Sequence, residues 1–247
     1  MRYLVLSDIH ANLEALDACL ADAAPRRAGF VLVLGDIVGY GPNPNEVVER
    51  VRALDPVAVV RGNHDKVASG LETADGFNVV ARAAAYWTLD HLAPGNRAWV
   101  ANLPPGPVQV DHLVEICHGS PFDEDAYVFD ELDAVRALRS SKRRLCLFGH
   151  THYPTIFSQS GTRLDAVVRS RQTEWTLALE PSAKYLLNPG SIGQPRDGDP
   201  RAAYAVVDSE AETVELVRVE YPVEMTQGKI VEAGLPQVLA DRLTAGR

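Results

Sequence analysis

Val57-Ala58-Val59-Val60 runs directly into Arg61-Gly62-Asn63-His64-Asp65. A short apolar run bounded by a polar turn reads as a buried strand. The turn holds an amide, an imidazole and a carboxylate, which suits reactive groups pushed out beyond a sheet edge better than it suits a core. The device recurs four more times. Tyr3–Leu6 leads to Asp8 and His10, Phe30–Leu34 to Gly35-Asp36, Leu113–Cys117 to His118, and Leu145–Phe148 to Gly149-His150-Thr151-His152.

The segments between these runs are helical. Asn12–Ala23 carries Leu13, Leu16, Cys19 and Leu20 at helical spacing, with Asn12 as its cap and Pro25 beyond its end. Asn45–Leu54 carries Val47, Val48, Val51 and Leu54 and stops at Asp55-Pro56. Strand, helix, strand, helix, strand calls for a parallel sheet with right-handed crossovers, and ligands gather at the carboxyl ends of such strands. The polar turns lie there. From Lys66 to Pro107 the pattern is helical, with Phe77–Leu92 the longest candidate and Asn96–Leu103 a shorter one. This stretch is expected to be an insertion that caps the site, although Tyr86, Trp87 and Trp99 are most simply packing residues. Leu132–Leu138 is a further helix.

After His152 the texture changes. Thr155–Ser158, Arg163–Ala166, Thr176–Leu179, Ala203–Asp208 and Thr213–Tyr221 read as partly alternating strands, expected to form a more antiparallel second sheet packed on the first. Val223–Arg247 reads as an exposed helical tail. With no repeat, linker or low-complexity tract, residues 1–247 are expected to form a single domain.

Composition bounds the function. The chain of 247 residues has 46% hydrophobic residues and a net charge of −9. That balance argues against a broad grip on a nucleic-acid polymer, which needs clustered Lys and Arg. Cys19, Cys117 and Cys146 sit in apolar segments and read as buried thiols in a reducing cytoplasm, not as a disulfide framework. No cationic leader is evident, strand-like sequence begins at Arg2, and no apolar run approaches the length of a membrane span. We therefore expect a cytoplasmic protein that does not engage a membrane.

Side chains two apart on a strand share a face. On that reading Asp8 and His10 converge while Ile9 turns inward, and His150 and His152 repeat the arrangement. Five of the seven histidines fall in these turns, leaving His91 and His112 as structural residues. Several such turns in this order are the makings of a metal centre.

Asp8-Ile9-His10, Gly35-Asp36, Gly62-Asn63-His64-Asp65, His118, Gly149-His150-Thr151-His152 and Asn188-Pro189-Gly190-Ser191 together resemble the motifs of the calcineurin-like metallophosphoesterases. The likeness is to their small bacterial and archaeal phosphodiesterase-type members, and it covers nearly the whole chain. The resemblance implies a four-layer α-β-β-α sandwich, two mixed sheets flanked by helices, with the metal site at the strand C-terminal ends. It implies two divalent transition-metal ions. Asp8, His10 and His152 would hold one, Asn63, His118 and His150 the other, and Asp36 would bridge them. His64 would bind neither and would stand beside the substrate.

Mixed carboxylate, imidazole and amide ligands suit Mn, Fe, Zn or Ni better than Ca. Two divalent ions against two carboxylates leave the site positive, which draws in a phosphate despite the acidic chain. Such ions lower the pKa of a bound water and clamp the phosphoryl oxygens during in-line displacement, while His64 acts as general acid toward the departing alkoxide. The expected function is thus a phosphoesterase that hydrolyses a small phosphate ester by attack of hydroxide on the metal, most simply a phosphodiesterase. The alternatives are a phosphomonoesterase, or a nucleotide pyrophosphatase or nuclease, on the same core. A non-catalytic metal-binding interaction scaffold is the alternative of another class.

Departures narrow the reading. In the Ser/Thr protein phosphatases the second motif continues Gly-Asp-X-Val-Asp-Arg-Gly. Here Gly39 and Tyr40 replace the Asp that orients the catalytic histidine and the Arg that grips phosphate. A protein phosphatase is disfavoured, and the support of His64 is left open. Asp65 reads as a capping residue. Arg196, in Gln194-Pro195-Arg196-Asp197-Gly198, reads as a solvated turn arginine with contact to the substrate phosphate as its functional alternative; Arg61 reads the same way, and Asn63 is a further candidate substrate contact. Phe77–Pro107, Phe122–Phe129 and Arg169–Ser182 are the expected pocket walls.

Overall fold

The computed structural model describes residues 1–168 and 172–247. In chain order the strands are β1 (Arg2–Leu6), β2 (Phe30–Val33), β3 (Ala58–Val59), β4 (Val108–Gln109), β5 (Val114–Ile116), β6 (Leu145–Leu147), β7 (Thr155–Ser160), β8 (Arg163–Val168), β9 (Glu174–Ala178), β10 (Lys184–Asn188), β11 (Ala202–Asp208) and β12 (Thr213–Val219). The helices are α1 (Leu13–Ala23), α2 (Pro44–Ala53), α3 (Asn63–Ser69), α4 (Val79–His91), α5 (Pro94–Ala101), α6 (Glu131–Ser140), α7 (Val223–Glu232) and α8 (Gln237–Ala245).

The strands form two six-stranded sheets, ordered β3-β2-β1-β11-β12-β9 and β4-β5-β6-β10-β7-β8. Both are mixed. β1, β2 and β3 are parallel in one, β5, β6 and β10 in the other, and antiparallel strands flank each parallel core. The alternation of β1 sets the layers. Tyr3 and Val5 join Leu145, Leu147 and Leu187 in a core between the sheets, whereas Leu4 and Leu6 pack with Leu16, Cys19, Val47 and Val51 of α1 and α2. On the outer face of the second sheet Cys146 and Leu186 meet Ala134, Ala137 and Leu138 of α6. This is the α-β-β-α sandwich. Among the described residues no helix is long and apolar enough to cross a membrane.

Two expectations are corrected. The strands after His152 do not build a second sheet of their own. β7, β8 and β10 complete the sheet begun by β5 and β6, and β9, β11 and β12 complete the sheet of β1 to β3. The cause is burial. All but the last residue of β11, and all but the first of β10, are buried, so each needs a neighbour on both edges and cover on both faces. Nor is 223–247 an exposed tail. Ile230, Leu235, Leu239 and Leu243 are buried against Tyr40, Ala81 and Ala84, which docks α7 and α8 beside α4. The three cysteines are free and buried.

Candidate metal centre

The turns after β1, β2, β3, β5 and β6 converge where the two sheets meet. Asp8, His10, Asp36 and His152 bring one ligand atom each within 4.8 Å of one another, and so do Asp36, His118 and His150. Asp36 belongs to both groups. Its Oδ2 lies 3.5 Å from His10 Nε2 and 3.5 Å from His118 Nε2. Asn63 Oδ1 lies 3.4 Å from His118 Nε2 and adds a neutral oxygen to the second group.

The pleat does not bring these pairs together. Asp8, His10, Asp36, His150 and His152 all lie beyond their strands with positive φ, between 48° and 67°. The left-handed region is uncommon for residues with a Cβ, and such outliers gather at functional sites. Each bend reaims the next side chain, so Ile9 drops into the core between Asp8 and His10, and His150 and His152 separate into different groups.

Backbone carbonyls fix the imidazoles. His10 Nδ1 donates to Val38 O (3.1 Å), His118 Nδ1 to Leu34 O (2.8 Å), His152 Nδ1 to Gln194 O (2.6 Å) and His150 Nε2 to Asp125 O (3.1 Å). A carbonyl only accepts, so the hydrogen sits on that ring nitrogen and the other faces the cluster. His10 Nε2 and His152 Nε2 are 3.1 Å apart. Burial pushes both rings well below the ordinary histidine pKa. Two lone pairs therefore meet with no hydrogen between them, a contact that a cation relieves.

The second group holds a proton in that role. His118 Nε2 lies 3.1 Å from His150 Nδ1. Burial works against charge on His118, but the Asp36 carboxylate lifts it to about 10. Asp36 in turn is held well below the usual carboxylate range, its burial outweighed by His118. Burial raises Asp8 to about 6. A divalent ion on these donors must expel the His118 proton. Loading the metal-stripped protein at pH 8 is expected to release about one proton per chain, read by calorimetry in buffers of different ionisation enthalpy. Loading without proton release would place the ion elsewhere.

His64 belongs to neither group. It opens α3, its N–H donates to Asp36 Oδ1 (3.0 Å), and its ring packs against Tyr40, Phe77 and His10 with centroids 4.3, 4.6 and 5.0 Å away. Its Nδ1 is buried and has no hydrogen-bond partner among the described residues. Gly39 explains this. A Cβ there would lie 2.5 Å from His64 Nδ1, so the histidine fills the space where a side chain at position 39 would stand. Aromatic packing, not a carboxylate, orients the ring, and burial lowers it to about 4. Asp65 serves as a brace, accepting from Gly62 N (2.9 Å) and Val38 N (3.1 Å).

A cavity of about 320 Å³ opens over His64, Asn63 and His150, walled by Phe77, Asn78 and Tyr127. The expected walls at 77–107 and 122–129 thus contribute. Residues 172–182 do not line it, and 169–171 lie outside the described residues. Arg196 reaches Tyr40 Oη (3.3 Å) and Gln194 Oε1 (3.2 Å), and its charge is felt at His10, His64, His150 and His152. Arg61 is structural, making a two-bond contact with Glu124 at 2.9 Å each. Glu72, Glu124 and Asp125 form a further acidic group, but Lys66 Nζ sits among them, 2.6 Å from Asp125. His91 stacks on Trp87, and neither it nor His112 joins either donor group. Sequence reasoning missed the carbonyls of Leu34, Val38, Asp125 and Gln194, because any residue type supplies a carbonyl. It passed over Tyr127, stacked 3.8 Å from His150, for want of a pattern around it.

The sequence pattern of the calcineurin-like phosphoesterase superfamily domain matches residues 1–212. The chain belongs to this superfamily. An uncharacterized protein of Methanocaldococcus jannaschii is 38% identical over 98% of the chain and 97% of its own length. The phosphodiesterase YfcE of Escherichia coli is 24% identical, with 87% and 91% covered. A crystal structure of a metallophosphoesterase from Sphaerobacter thermophilus superposes with a TM-score of 0.87 at 40% identity, covering 100% of this chain and 99% of that one. The superfamily fold agrees with the two mixed sheets flanked by helices.

Proposed function

We propose that the chain is a dinuclear metal-dependent phosphoesterase that hydrolyses a small phosphodiester. The observation that carries this reading is the sharing of Asp36 between two donor groups, with the facing lone pairs of His10 and His152 awaiting a cation. Asp8, His10, Asp36 and His152 would hold one ion and Asp36, Asn63, His118 and His150 the other, the ions being Mn, Fe, Zn or Ni by donor chemistry. Bound there, two such ions supply positive charge for the phosphoryl oxygens and acidify a water.

The chain's own groups do the rest. Ser7 Oγ and His150 N each donate to Asp8, fixing its carboxylate. Ser191 Oγ donates to Asp8 O, and Asn188 Nδ2 donates to Gly149 O, so the Asn188-Pro189-Gly190-Ser191 loop ties the two sets of turns together. His64 and Asn63 border the cavity where the ester lies, and His64 hands a proton to the leaving oxygen. Arg196 donates to the Oη of Tyr40, which borders the same cavity. Tyr40, standing where the protein phosphatases carry an arginine, leaves the site one cation poorer, which favours a diester monoanion over a monoester dianion. The phosphodiesterase among the relatives supports the same choice. The acidic chain favours a small substrate over a polymer, and the free buried thiols suit the cytoplasm.

The test is hydrolysis of bis-p-nitrophenyl phosphate and p-nitrophenyl phosphate after chelation and reloading with Mn, Fe, Zn or Ni. Metal-dependent turnover of the diester is expected. Turnover of the monoester alone would move the reading to a phosphomonoesterase, and no turnover in folded protein holding two ions would leave a scaffold.

A further inference from the structure

A second cavity of about 640 Å³ adjoins the one over His64 and shares Tyr40, Asn78 and Tyr127 with it. Among the described residues its charged lining side chains are Arg196, Arg242 and Arg247. An all-cationic chamber is unexpected in a chain of net charge −9. Elsewhere Arg26, Arg61, Arg144 and Arg218 each pair with a carboxylate, whereas others such as Arg27 and Arg139 stand singly on the surface among the described residues. Among the described residues none of the chamber's three arginines has an ion-pair partner, and the side chains of Arg242 and Arg247 make no hydrogen bond.

The fold builds this chamber deliberately. Leu239, Ala240 and Leu243 anchor α8 on Tyr40, and Arg242 in the last turn of α8 lines the cavity that Tyr40 also lines. The Arg196 guanidinium lies 5.8 Å from the Tyr40 ring centroid, and Arg242 lines the same cavity as that ring. Gly246 O accepts from Gly198 N (2.9 Å), which pins the end of α8 to the loop that carries Arg196. Arg242 and Arg247 lie beyond residue 212, where the superfamily match ends, and Arg196 lies within it.

We infer that the Arg196–Arg242–Arg247 chamber binds a second phosphate of the substrate, so that the physiological ester carries at least one phosphate besides the one cleaved. This rests on the phosphoesterase reading for the first phosphate. Guanidinium forks match phosphate oxygens two at a time, and unpaired arginines beside a phosphate site are ready to bind without first breaking an ion pair.

The experiment is calorimetric titration of the full chain, metal-stripped and desalted, with inorganic tripolyphosphate and with orthophosphate. Tripolyphosphate should bind about tenfold or more tightly than orthophosphate, and Arg242→Gln and Arg247→Gln should each weaken it about fivefold or more. Arg139→Gln, on the exposed face of α6, is the control and should change it less than twofold, about the error of one such contact. Arg242→Lys, which keeps the charge without the fork, should fall between wild type and Arg242→Gln and guards against misfolding as the cause. Equal affinity for the two anions, or equal weakening by Arg139→Gln, overturns the inference. So does a single-stranded oligonucleotide that binds more tightly than tripolyphosphate with the same dependence on Arg242. Neither metal nor turnover enters this assay. A failed diester assay would therefore leave its result intact, and a failed titration beside working hydrolysis would remove the chamber alone.

Discussion

Replacing His64 with alanine is expected to slow hydrolysis of an alkyl phosphodiester by ~10²–10⁴-fold while leaving two metal ions bound. The two effects separate because His64 lies in neither donor group, although its backbone shares Asp36 with both. The leaving group provides a finer readout. A p-nitrophenolate departs without needing a proton, so the loss for bis-p-nitrophenyl phosphate should be clearly smaller than for the alkyl ester. Equal losses would mean that His64 only steadies the phosphoryl group. Burial holds His64 at about 4 against the upward pull of Asp36, so the ring is neutral at pH 7 until a phosphate approaches. We accordingly expect the loss toward the lower end of that range.

Asp36→Asn should reduce bound metal from two ions to at most one, read by elemental analysis after gel filtration, and lower kcat by ~10³-fold, about 4 kcal/mol of transition-state stabilisation. Asparagine keeps the shape and the bond from His64 N but removes the charge that two donor groups share. Full metal content in the variant would refute the bridging role. Asp36 also sets the stability of the metal-stripped protein. It raises His118 against its burial, from an ordinary 6.5 to about 10. A raised folded pKa contributes stability that is complete below the unfolded value and is lost as pH climbs through the folded one. The thermal stability gap between wild type and Asp36→Asn should therefore be widest between about pH 4 and 6.5, narrow at lower pH as Asp36 itself takes up a proton, and close as pH approaches about 10.

The sequence showed the donors more clearly than it showed what holds them. Every proposed ligand stands in a polar turn after an apolar run, and such turns are visible residue by residue. The left-handed backbone at Asp8, His10, His150 and His152 was not visible, because nothing about Asp or His announces a positive φ. β10 escaped notice since Tyr185-Leu186-Leu187 is a short run between a lysine and the Asn188 turn. The docking of α8 escaped because half of its contact surface belongs to Ala81, Ala84 and Tyr40, remote in sequence and mostly small. Gly39 was legible as a missing carboxylate but not as the space that His64 occupies.

The interleaving of the two sheets sets the order in which the molecule must be made. All the proposed donors are translated by residue 152, but β10, which separates β6 from β7, and β11, which flanks β1, come only from residues 184–208. A nascent chain on the ribosome therefore displays its five site histidines before either sheet can close around them. Pairing of β1 with β11 spans some 200 residues of chain, a contact paid for late and slowly. A small zinc module folds around its ion; here the proposed ions would have to wait for the fold.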